Sequence, residues 1–320
     1  GTTRIKAVVT DFELTLHHEA AVPTPWVHHN NLSEIDMNLL ASTTIGLIHD
    51  AVKACDAQAA AIAFTGFSET GAVTNNRLEL IAPGYAWHDP RGDLERVEKE
   101  FGSELFERTV GASINAVVTI TKVLWQQKHL QGLEKPGHFI GAPEWIAHAL
   151  GAELVNELSL VSRSGFLDIA EKTPWLPGLQ LIGAPDNFLA RLVGAGEAIG
   201  TVNSSAPENL RGAVLSIAGH DHQTAAYHLG AVKNGALFDS MGTAEAIVRT
   251  YEGILSRDSM SRFAKQGINV GWTVIPNHQT VLAGTPTGIS LERVSSMLGA
   301  VDKEARAKLV KHHLQFLAMD

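Results

Sequence analysis

Residues 212–229 read GAVLSIAGHDHQTAAYHL and combine an apolar run, a polar turn and a helical pattern. Residues 212–217 are β-branched and apolar, which predicts a strand that ends at Ala218-Gly219. Residues 223–229 look helical. His220, Asp221 and His222 therefore come directly after a strand end, where we expect their side chains to point into a crevice.

A second apolar run points to the same kind of fold. Residues 59–65 end at Gly66 and predict a strand buried on both faces. Ahead of it, residues 4–21 predict two strands of a meander, and a capping-box pattern at Ser33 and Asp36 predicts a helix over residues 34–54.

Helical patterns follow in the middle of the chain, and from residue 236 the pattern changes to another strand meander before helices return. This order predicts an α/β fold with mixed sheets. This change from helical to strand patterns predicts a first domain over residues 1–230 and the start of a second over 231–320.

Composition limits the classes of function. The chain has 320 residues, of which 45% are apolar and 18% charged, as in packed globular proteins. With 25 Lys and Arg against 34 Asp and Glu, the net charge of −9 provides no basic field for nucleic acid or an anionic membrane surface. Cys55 is the single cysteine, which favours a reducing, cytoplasmic setting. No apolar stretch is long enough to predict a transmembrane helix.

Two Gly-Thr turns lie at predicted strand ends, one at Gly1-Thr2-Thr3 and one at Gly242-Thr243. Such a turn presents backbone N–H groups and a hydroxyl to an anion with no side chain in the way. Either turn alone is weak evidence. Together they suggest a phosphate that is held from two sides.

The acidic loop admits two chemical interpretations. An Asp in a strand-end loop can accept a proton from a sugar hydroxyl, as a kinase requires. His220, Asp221 and His222 could instead bind a metal ion in a hydrolase, because His-x-His at a strand end suits zinc. Asp221 could also simply cap the helix that follows.

Seven further segments stand out along the chain: GTTRIKAVVTD (1–11), TGFSETGAV (65–73), YAWHDPRG (85–92), SRSGFLDI (162–169), GEAIGTV (196–202), AGHDHQTAA (218–226) and DSMGTAEAI (239–247). In the same order, they resemble the signatures of the FGGY carbohydrate kinases. The segments extend over most of the chain, so coincidence is improbable.

The resemblance implies a ribonuclease-H-like (actin-like ATPase) fold of two domains, with the sugar in the first and ATP between them. The reaction would be phosphorylation of a sugar or polyol hydroxyl by ATP with Mg²⁺. Asp221 matches the family's catalytic base, and His222 and Gln223 would border the substrate. Thr2 and Thr3 match one phosphate loop, and Gly242 and Thr243 match the other.

The resemblance also implies substrate contacts in the first domain. Glu69 matches a substrate-contacting position, but the loop has Ser68 where glycerol kinases have Arg, which disfavours glycerol itself. Trp87 and Asp89 fall in the family's W-x-D-x-R stretch, which Arg91 completes. An aromatic face and a carboxylate suit a polyhydroxylated ligand. The alternative is a buried Trp anchor and a structural Asp89–Arg91 pair.

The family's first phosphate motif has an Asp two residues before the glycine, and its adenosine-binding segment lies in the last third. Neither has a counterpart in this sequence, so the resemblance assigns no metal ligand here. We expect the chain to be a truncated kinase that is inactive alone. A non-catalytic sugar-binding relative is the other interpretation, and a second copy of the chain is kept open as a partner.

Overall fold

The computed structural model describes residues 1–241, 245–285, 287–300 and 302–317. Within these residues, no helix combines the length and the apolar character needed to cross a membrane. The helices are α1 (Met37–Ala54), α2 (Leu94–Val110), α3 (Thr119–His129), α4 (Ala142–Ala149), α5 (Leu158–Val161), α6 (Leu176–Leu181), α7 (Asp221–His228), α8 (Arg257–Ala264), α9 (Thr287–Met297) and α10 (Lys303–Leu317), with a 3-10 turn at Glu208–Leu210.

The strands of the described residues form seven small sheets. They are β1 (Arg4–Thr10), β2 (Leu16–Pro23), β3 (Val27–His29), β4 (Leu32–Ile35), β5 (Ala61–Gly66), β6 (Gly71–Thr74), β7 (Leu80–Ala82), β8 (Gly84–Tyr85), β9 (His138–Gly141), β10 (Val155–Glu157), β11 (Leu167–Asp168), β12 (Thr173–Pro174), β13 (Arg191–Val193), β14 (Ala198–Thr201), β15 (Val214–His220), β16 (Leu237–Met241), β17 (Glu245–Glu252), β18 (Ile268–Trp272) and β19 (His278–Thr285).

The pairing of β5 with β15 organises the first part of the chain. The two strands run parallel, with Val214 opposite Ala61 and His220 opposite Gly66, and β14 adds to β15 in the antiparallel sense. Alternate residues of both strands are buried. Because parallel strands end at the same edge, the loops that follow Gly66 and His220 lie side by side.

β1 and β2 form a separate antiparallel hairpin over helix α1. Among the described strands, β1 pairs only with β2, and β5 pairs only with β15. A cleft of about 830 Å³ lies between β1 and β5, with apolar residues of α1 and α4 along it. Both strands therefore present an unpaired edge to one largely apolar cleft.

The later part of the chain forms a four-stranded antiparallel sheet in the order β16-β17-β19-β18, with α8 packed against β18. The apolar side chains of this sheet and of α8 pack against the first part of the chain. Met260, Val270 and Trp272 belong to the same hydrophobic cluster as Phe106 and Phe166 from the first part of the chain. The two regions predicted as separate domains thus share a continuous core.

The structure confirms most predicted elements and corrects the starts of two helices. The helix predicted over residues 34–54 begins at Met37, where the Asp36 carboxylate accepts the N–H groups of Asn38 and Leu39. Ser33 does not cap it. Ser33 lies in β4, buried, with its hydroxyl bonded to His28. A strand pair before the helix occupies the residues that the capping-box pattern had suggested.

Helix α2 was not predicted, because its residues are mostly polar and Gly102, with φ of 69°, kinks it. Helix α7 begins at Asp221, earlier than the predicted start at residue 223.

Two carboxyl groups are buried beside the central strands. Glu144, in the first turn of α4, is 1% exposed, and Glu157, at the end of β10, is fully buried. The Glu157 N–H donates to Glu144 Oε1 at 3.0 Å. Burial raises the pKa of Glu144 to about 8 and that of Glu157 to about 7. Both groups therefore hold a proton in the folded protein at pH values where the unfolded chain has lost it.

This difference predicts a pH-dependent stability. The stabilisation is complete below pH 4.5, the ordinary pKa of Glu, and is lost as the pH rises through 7 to 8. Each group can contribute a slope of up to about 1.4 kcal/mol per pH unit. We expect Glu144→Gln to flatten the decline of the free energy of unfolding between pH 5 and pH 8 in urea titrations. The exposed control Glu100→Gln should leave the slope unchanged, and an unchanged slope in Glu144→Gln would contradict the assignment.

Candidate functional site

Asp221 lies at the junction of β15 and α7, at the point where the strand end meets the helix start. The carboxylate is held on one side only. Its Oδ1 accepts the His222 N–H at 2.7 Å and lies 3.1 Å from His220 Nδ1. Among the described residues no hydrogen bond reaches Oδ2, and the side chain is 37% exposed. One oxygen is therefore fixed and the other faces outward.

The surroundings keep this carboxylate ionised. Burial alone would raise the pKa of Asp221, but the close contact with His220 and its charge, the charge of His222 and the His222 N–H outweigh it. The pKa is held well below its ordinary value of 3.8. Asp221 is thus an anionic hydrogen-bond acceptor throughout the neutral range.

Glu69 lies on the neighbouring loop, after β5, in a left-handed conformation with φ of 58°. Its carboxylate is buried and accepts Arg163 Nε at 2.5 Å, while its carbonyl accepts the Thr119 hydroxyl at 3.0 Å. Arg163 comes from the segment after α5. A long-range ion pair therefore fixes Glu69 in place.

His222 lies close enough to the Glu69–Arg163 ion pair for both charges to act on its pKa. Burial lowers the pKa of His222, the charge of Asp221 raises it, and His220 and Arg163 lower it further. The charge of Glu69 acts in the opposite direction to Arg163. The structure therefore brings the predicted residues Glu69, Asp221 and His222 together, with Arg163 among them.

Trp87 connects this region to the first Gly-Thr turn. Its indole Nε1 donates to the Thr2 hydroxyl at 3.0 Å, and Trp26 Nε1 donates to the Thr2 carbonyl at 2.7 Å. The Thr3 carbonyl accepts the Thr24 N–H. The charge of Asp221 acts on Gly1, so the turn lies within electrostatic reach of Asp221.

A buried lysine holds the backbone behind Trp87. Lys122, on α3, donates to the carbonyls of Ala86 and Trp87 at 2.8 Å each. Burial lowers the pKa of Lys122 to about 8, against the charges of Glu69 and Asp89, which raise it. The Lys122 ammonium group therefore holds the backbone of the loop that carries Trp87.

Asp89 is oriented away from any open space. Its oxygens accept the N–H of Ser33 and three N–H groups of Arg91, and its side chain is fully buried. The Arg91 guanidinium also stacks 3.6 Å from the Tyr85 ring centroid. This arrangement matches the structural Asp89–Arg91 pair, and it gives no support to a substrate contact by Asp89.

Gln223 is placed on a different face of α7 from Asp221. Residues two apart on a helix point in nearly opposite directions. Gln223 is 4% exposed and lines a cavity of about 10 Å³ with Tyr227 of α7 and Thr250 and Thr280 of the four-stranded sheet. The structure therefore brings Gln223 to the contact between α7 and that sheet.

Two further expectations concern the second phosphate turn and the metal site. Gly242 and Thr243 lie outside the described residues. Within the part of the chain that the structure describes, no group of three or more His, Cys, Asp or Glu side chains is arranged to hold a metal ion. The metal-hydrolase interpretation of His220, Asp221 and His222 gains no support from the geometry.

The sequence analysis assigned no role near the site to Arg163 or Lys122. Arg163 belongs to the SRSGFLDI segment, which carried only the family resemblance. Lys122 follows a helical pattern that could equally have left its side chain in solvent. Only the three-dimensional fold brings these cations to the two loops.

The model of the FGGY family of carbohydrate kinases, N-terminal domain, matches residues 1–227. The chain is 30% identical over 193 residues to an L-fuculokinase of Escherichia coli (strain K12), which covers 58% of this chain and 41% of that protein. It is 26% identical over 288 residues to a glycerol kinase of Leifsonia xyli subsp. xyli, which covers 80% of this chain and 55% of that protein. The chain thus spans about half the length of these relatives.

Solved structures show the same fold. A xylulose kinase from Rhodospirillum rubrum superimposes with a TM-score of 0.82 at 20% identity, over 96% of this chain and 65% of that one. The glycerol kinase of Plasmodium falciparum with ADP gives a TM-score of 0.83 at 14% identity, over 97% and 65%. The expected ribonuclease-H-like α/β fold is confirmed.

The charges around His222 lead to a paired prediction. Arg163→Met removes a cation and should raise the pKa of His222, whereas Glu69→Gln removes an anion and should lower it. The measurement is an NMR titration of the histidine rings. Arg77→Met, which breaks the exposed Arg77–Glu79 pair on a hairpin turn, is the matched control and should leave His222 unchanged. Shifts in the same direction for the two site variants would contradict this placement.

Proposed function

Because this chain belongs to the FGGY family of carbohydrate kinases, we propose that it contributes the sugar-binding site of an enzyme that transfers the γ-phosphate of ATP to a hydroxyl of a sugar or polyol. The observation that carries the proposal is the ionised Asp221 carboxylate, with one oxygen held by its neighbours and the other open beside Glu69 and His222.

Asp221 is the general base in this proposal. Its open Oδ2 accepts the proton of the substrate hydroxyl while the hydroxyl oxygen bonds to the γ-phosphorus and the bond from that phosphorus to the ADP oxygen breaks. A carboxylate of low pKa suits this step, because phosphoryl transfer has a loose transition state in which the nucleophile gives up its proton late. The main task of Asp221 is then to orient the hydroxyl in line.

The substrate contacts come from the two adjoining loops. Glu69, held by Arg163, and the half-buried face of Trp87 are placed to meet hydroxyls and the apolar face of a sugar ring. A guanidinium does reach Glu69, but from Arg163 and not from position 68, where the buried Ser68 hydroxyl has no hydrogen-bond partner among the described residues. We take this difference to support a sugar or larger polyol over glycerol.

In this proposal the first Gly-Thr turn, Gly1-Thr2-Thr3, holds the phosphate groups of ATP. Thr2 and Thr3 are positioned by Trp26, Trp87 and Thr24, within reach of the Asp221 charge. We propose that this turn contacts ATP phosphate oxygens, and that Gly242 and Thr243 do so from the other side.

Mg²⁺ on the transferring phosphate would neutralise its oxygens, as is general for this reaction. Asp11, which follows the turn and β1, has its oxygens engaged by Glu13, Thr15 and His17. Asp11 therefore has no oxygen left free for the ion, and no step above depends on the ion.

We also propose the division into a sugar-binding region over residues 1–230 and the start of a nucleotide-binding region over 231–320. The support is that β16 to β19 form a sheet with no described strand of the first region, although their apolar side chains share its core. A cytoplasmic location is supported by the free thiol of Cys55. Self-association into a homodimer is testable by light scattering.

Asp221→Asn should lower ATP-dependent phosphorylation by about 10²-fold or more, since it removes the proton acceptor but keeps the shape. Sugar binding should remain largely intact. A thermal-shift panel of pentuloses, hexonates and polyols first identifies the compound that binds. Turnover of that compound is then measured by ADP release in the protein that carries this chain. Asp186→Asn, an exposed loop carboxylate, is the control and should keep normal turnover. Near-normal turnover in Asp221→Asn would refute the base assignment, and sugar binding without any phosphorylation would favour a non-catalytic sugar-binding protein.

A further inference from the structure

A buried chain of hydrogen bonds lies behind the Asp221 loop and is not part of the proposed mechanism. The Ser159 hydroxyl accepts the His220 N–H at 2.9 Å and donates to Glu157 Oε2 at 2.6 Å. The same Oε2 accepts the Leu160 N–H at 3.1 Å. Ser159 and Glu157 are fully buried, and His220 is 5% exposed. The chain connects α5, by way of one hydroxyl, to the residue before Asp221.

The direction of these bonds is fixed by chemistry. A backbone N–H can only donate, so the Ser159 oxygen must be the acceptor for His220. The single hydroxyl proton of Ser159 must then go to Glu157, which supplies the acceptor oxygen in either charge state. Glu157 is in turn tied to α4 through its own N–H and Glu144 Oε1. Each member of the chain thus depends on the next for its orientation.

The close approach of Ser159 requires the glycine at position 219. Gly219 has φ of 92°, and a Cβ there would lie 2.7 Å from Ser159 Oγ and 2.5 Å from Val274 Cγ1. Ser159 can therefore reach the His220 N–H only because residue 219 has no side chain. The combination indicates a built contact at this turn.

Hydroxyl groups also hold the carbonyl side of the same turn. Thr65 Oγ1 donates to the Gly219 carbonyl at 2.8 Å, and Thr224 Oγ1 bonds to the carbonyls of Ala218 and His220. On the amide side of His220, Ser159 makes the corresponding bond. Since His220 Nδ1 lies 3.1 Å from Asp221 Oδ1, moving the His220 backbone would move both the Cα of Asp221 and the partner of its carboxylate.

We propose that Glu157 and Ser159 are positioning residues, which hold the His220 backbone so that the Asp221 carboxylate keeps its open oxygen aimed at the substrate hydroxyl. This inference rests on the proposed role of Asp221. It assigns the buried hydrogen-bond chain to the geometry of the reacting group, beyond a contribution to folding.

The test compares two equally buried serines on the same segment. Ser164 is 1% exposed and its hydroxyl, like that of Ser159, accepts a backbone N–H and donates to an oxygen, but the partners are the nearby Phe166 and Val161. Ser159→Ala should lower kcat by about tenfold with little change in the KM for the sugar, because small misplacements of a reacting group reduce rate strongly. Ser164→Ala should keep kcat while it lowers the melting temperature.

Glu157 provides a rescue pair. Glu157→Gln keeps an acceptor oxygen for the Ser159 hydroxyl and should retain kcat within about twofold, whereas Glu157→Leu removes the acceptor and should match Ser159→Ala. These two variants keep the proposal testable even if Ser159→Ala folds poorly. Equal kcat values for Glu157→Gln and Glu157→Leu would overturn it.

Two measurements that need no catalysis separate this proposal from the kinase assignment. Ser159→Ala should accelerate hydrogen exchange of the His220 amide by at least about tenfold, since that amide loses its acceptor. It should also move the pKa of Asp221 upward toward 3.8 in an NMR titration. Unchanged His220 exchange and Asp221 titration, relative to Ser164→Ala, would overturn the positioning role. If the wild-type protein phosphorylates no sugar but these shifts occur, the kinase assignment fails and the positioning of Asp221 stands.

Discussion

The parallel pairing of β5 with β15 is the constraint on which the rest of the site depends. It places His220 opposite Gly66, so the loops that carry Glu69 and Asp221 leave the sheet at the same edge. The residues are separated by about 150 positions in sequence, and local structure alone would never bring them together. Once the two strands pair, the Arg163 side chain binds the Glu69 carboxylate, which completes a cluster of oppositely charged side chains.

The cluster balances its charges against their burial. Asp221, Glu69 and Arg163 are partly or fully removed from water, and an isolated charge in such a place would be costly. Each has an opposite charge or a donor within hydrogen-bond distance, except for one oxygen of Asp221, which keeps its contact with solvent. A substrate hydroxyl that arrives at this oxygen replaces water and therefore meets an acceptor that is already oriented.

Much of this could be predicted from sequence because it depended on local patterns. The apolar runs located β5 and β15, and the position after a strand end predicted that the Asp221 side chain points into a crevice. Asp89 and Gln223 were harder, because their roles depend on neighbours far along the chain. Asp89 is saturated by Ser33 and Arg91, and Gln223 is turned to the four-stranded sheet by the early start of α7. The predicted capping role of Ser33 was wrong for a similar reason, because Ser33 lies in β4 and pairs with β3 in a sheet.

The facing edges of β1 and β5 have a consequence for handling the 320-residue polypeptide. Unpaired strand edges beside an apolar cleft are templates on which another extended chain can add, including a strand of a neighbouring molecule. We therefore expect concentrated solutions of this polypeptide to associate edge to edge, with the first contacts along residues 4–10 and 61–66. The same register that aligns Glu69 with Asp221 leaves the opposite edge of β5 as the surface from which aggregates would grow.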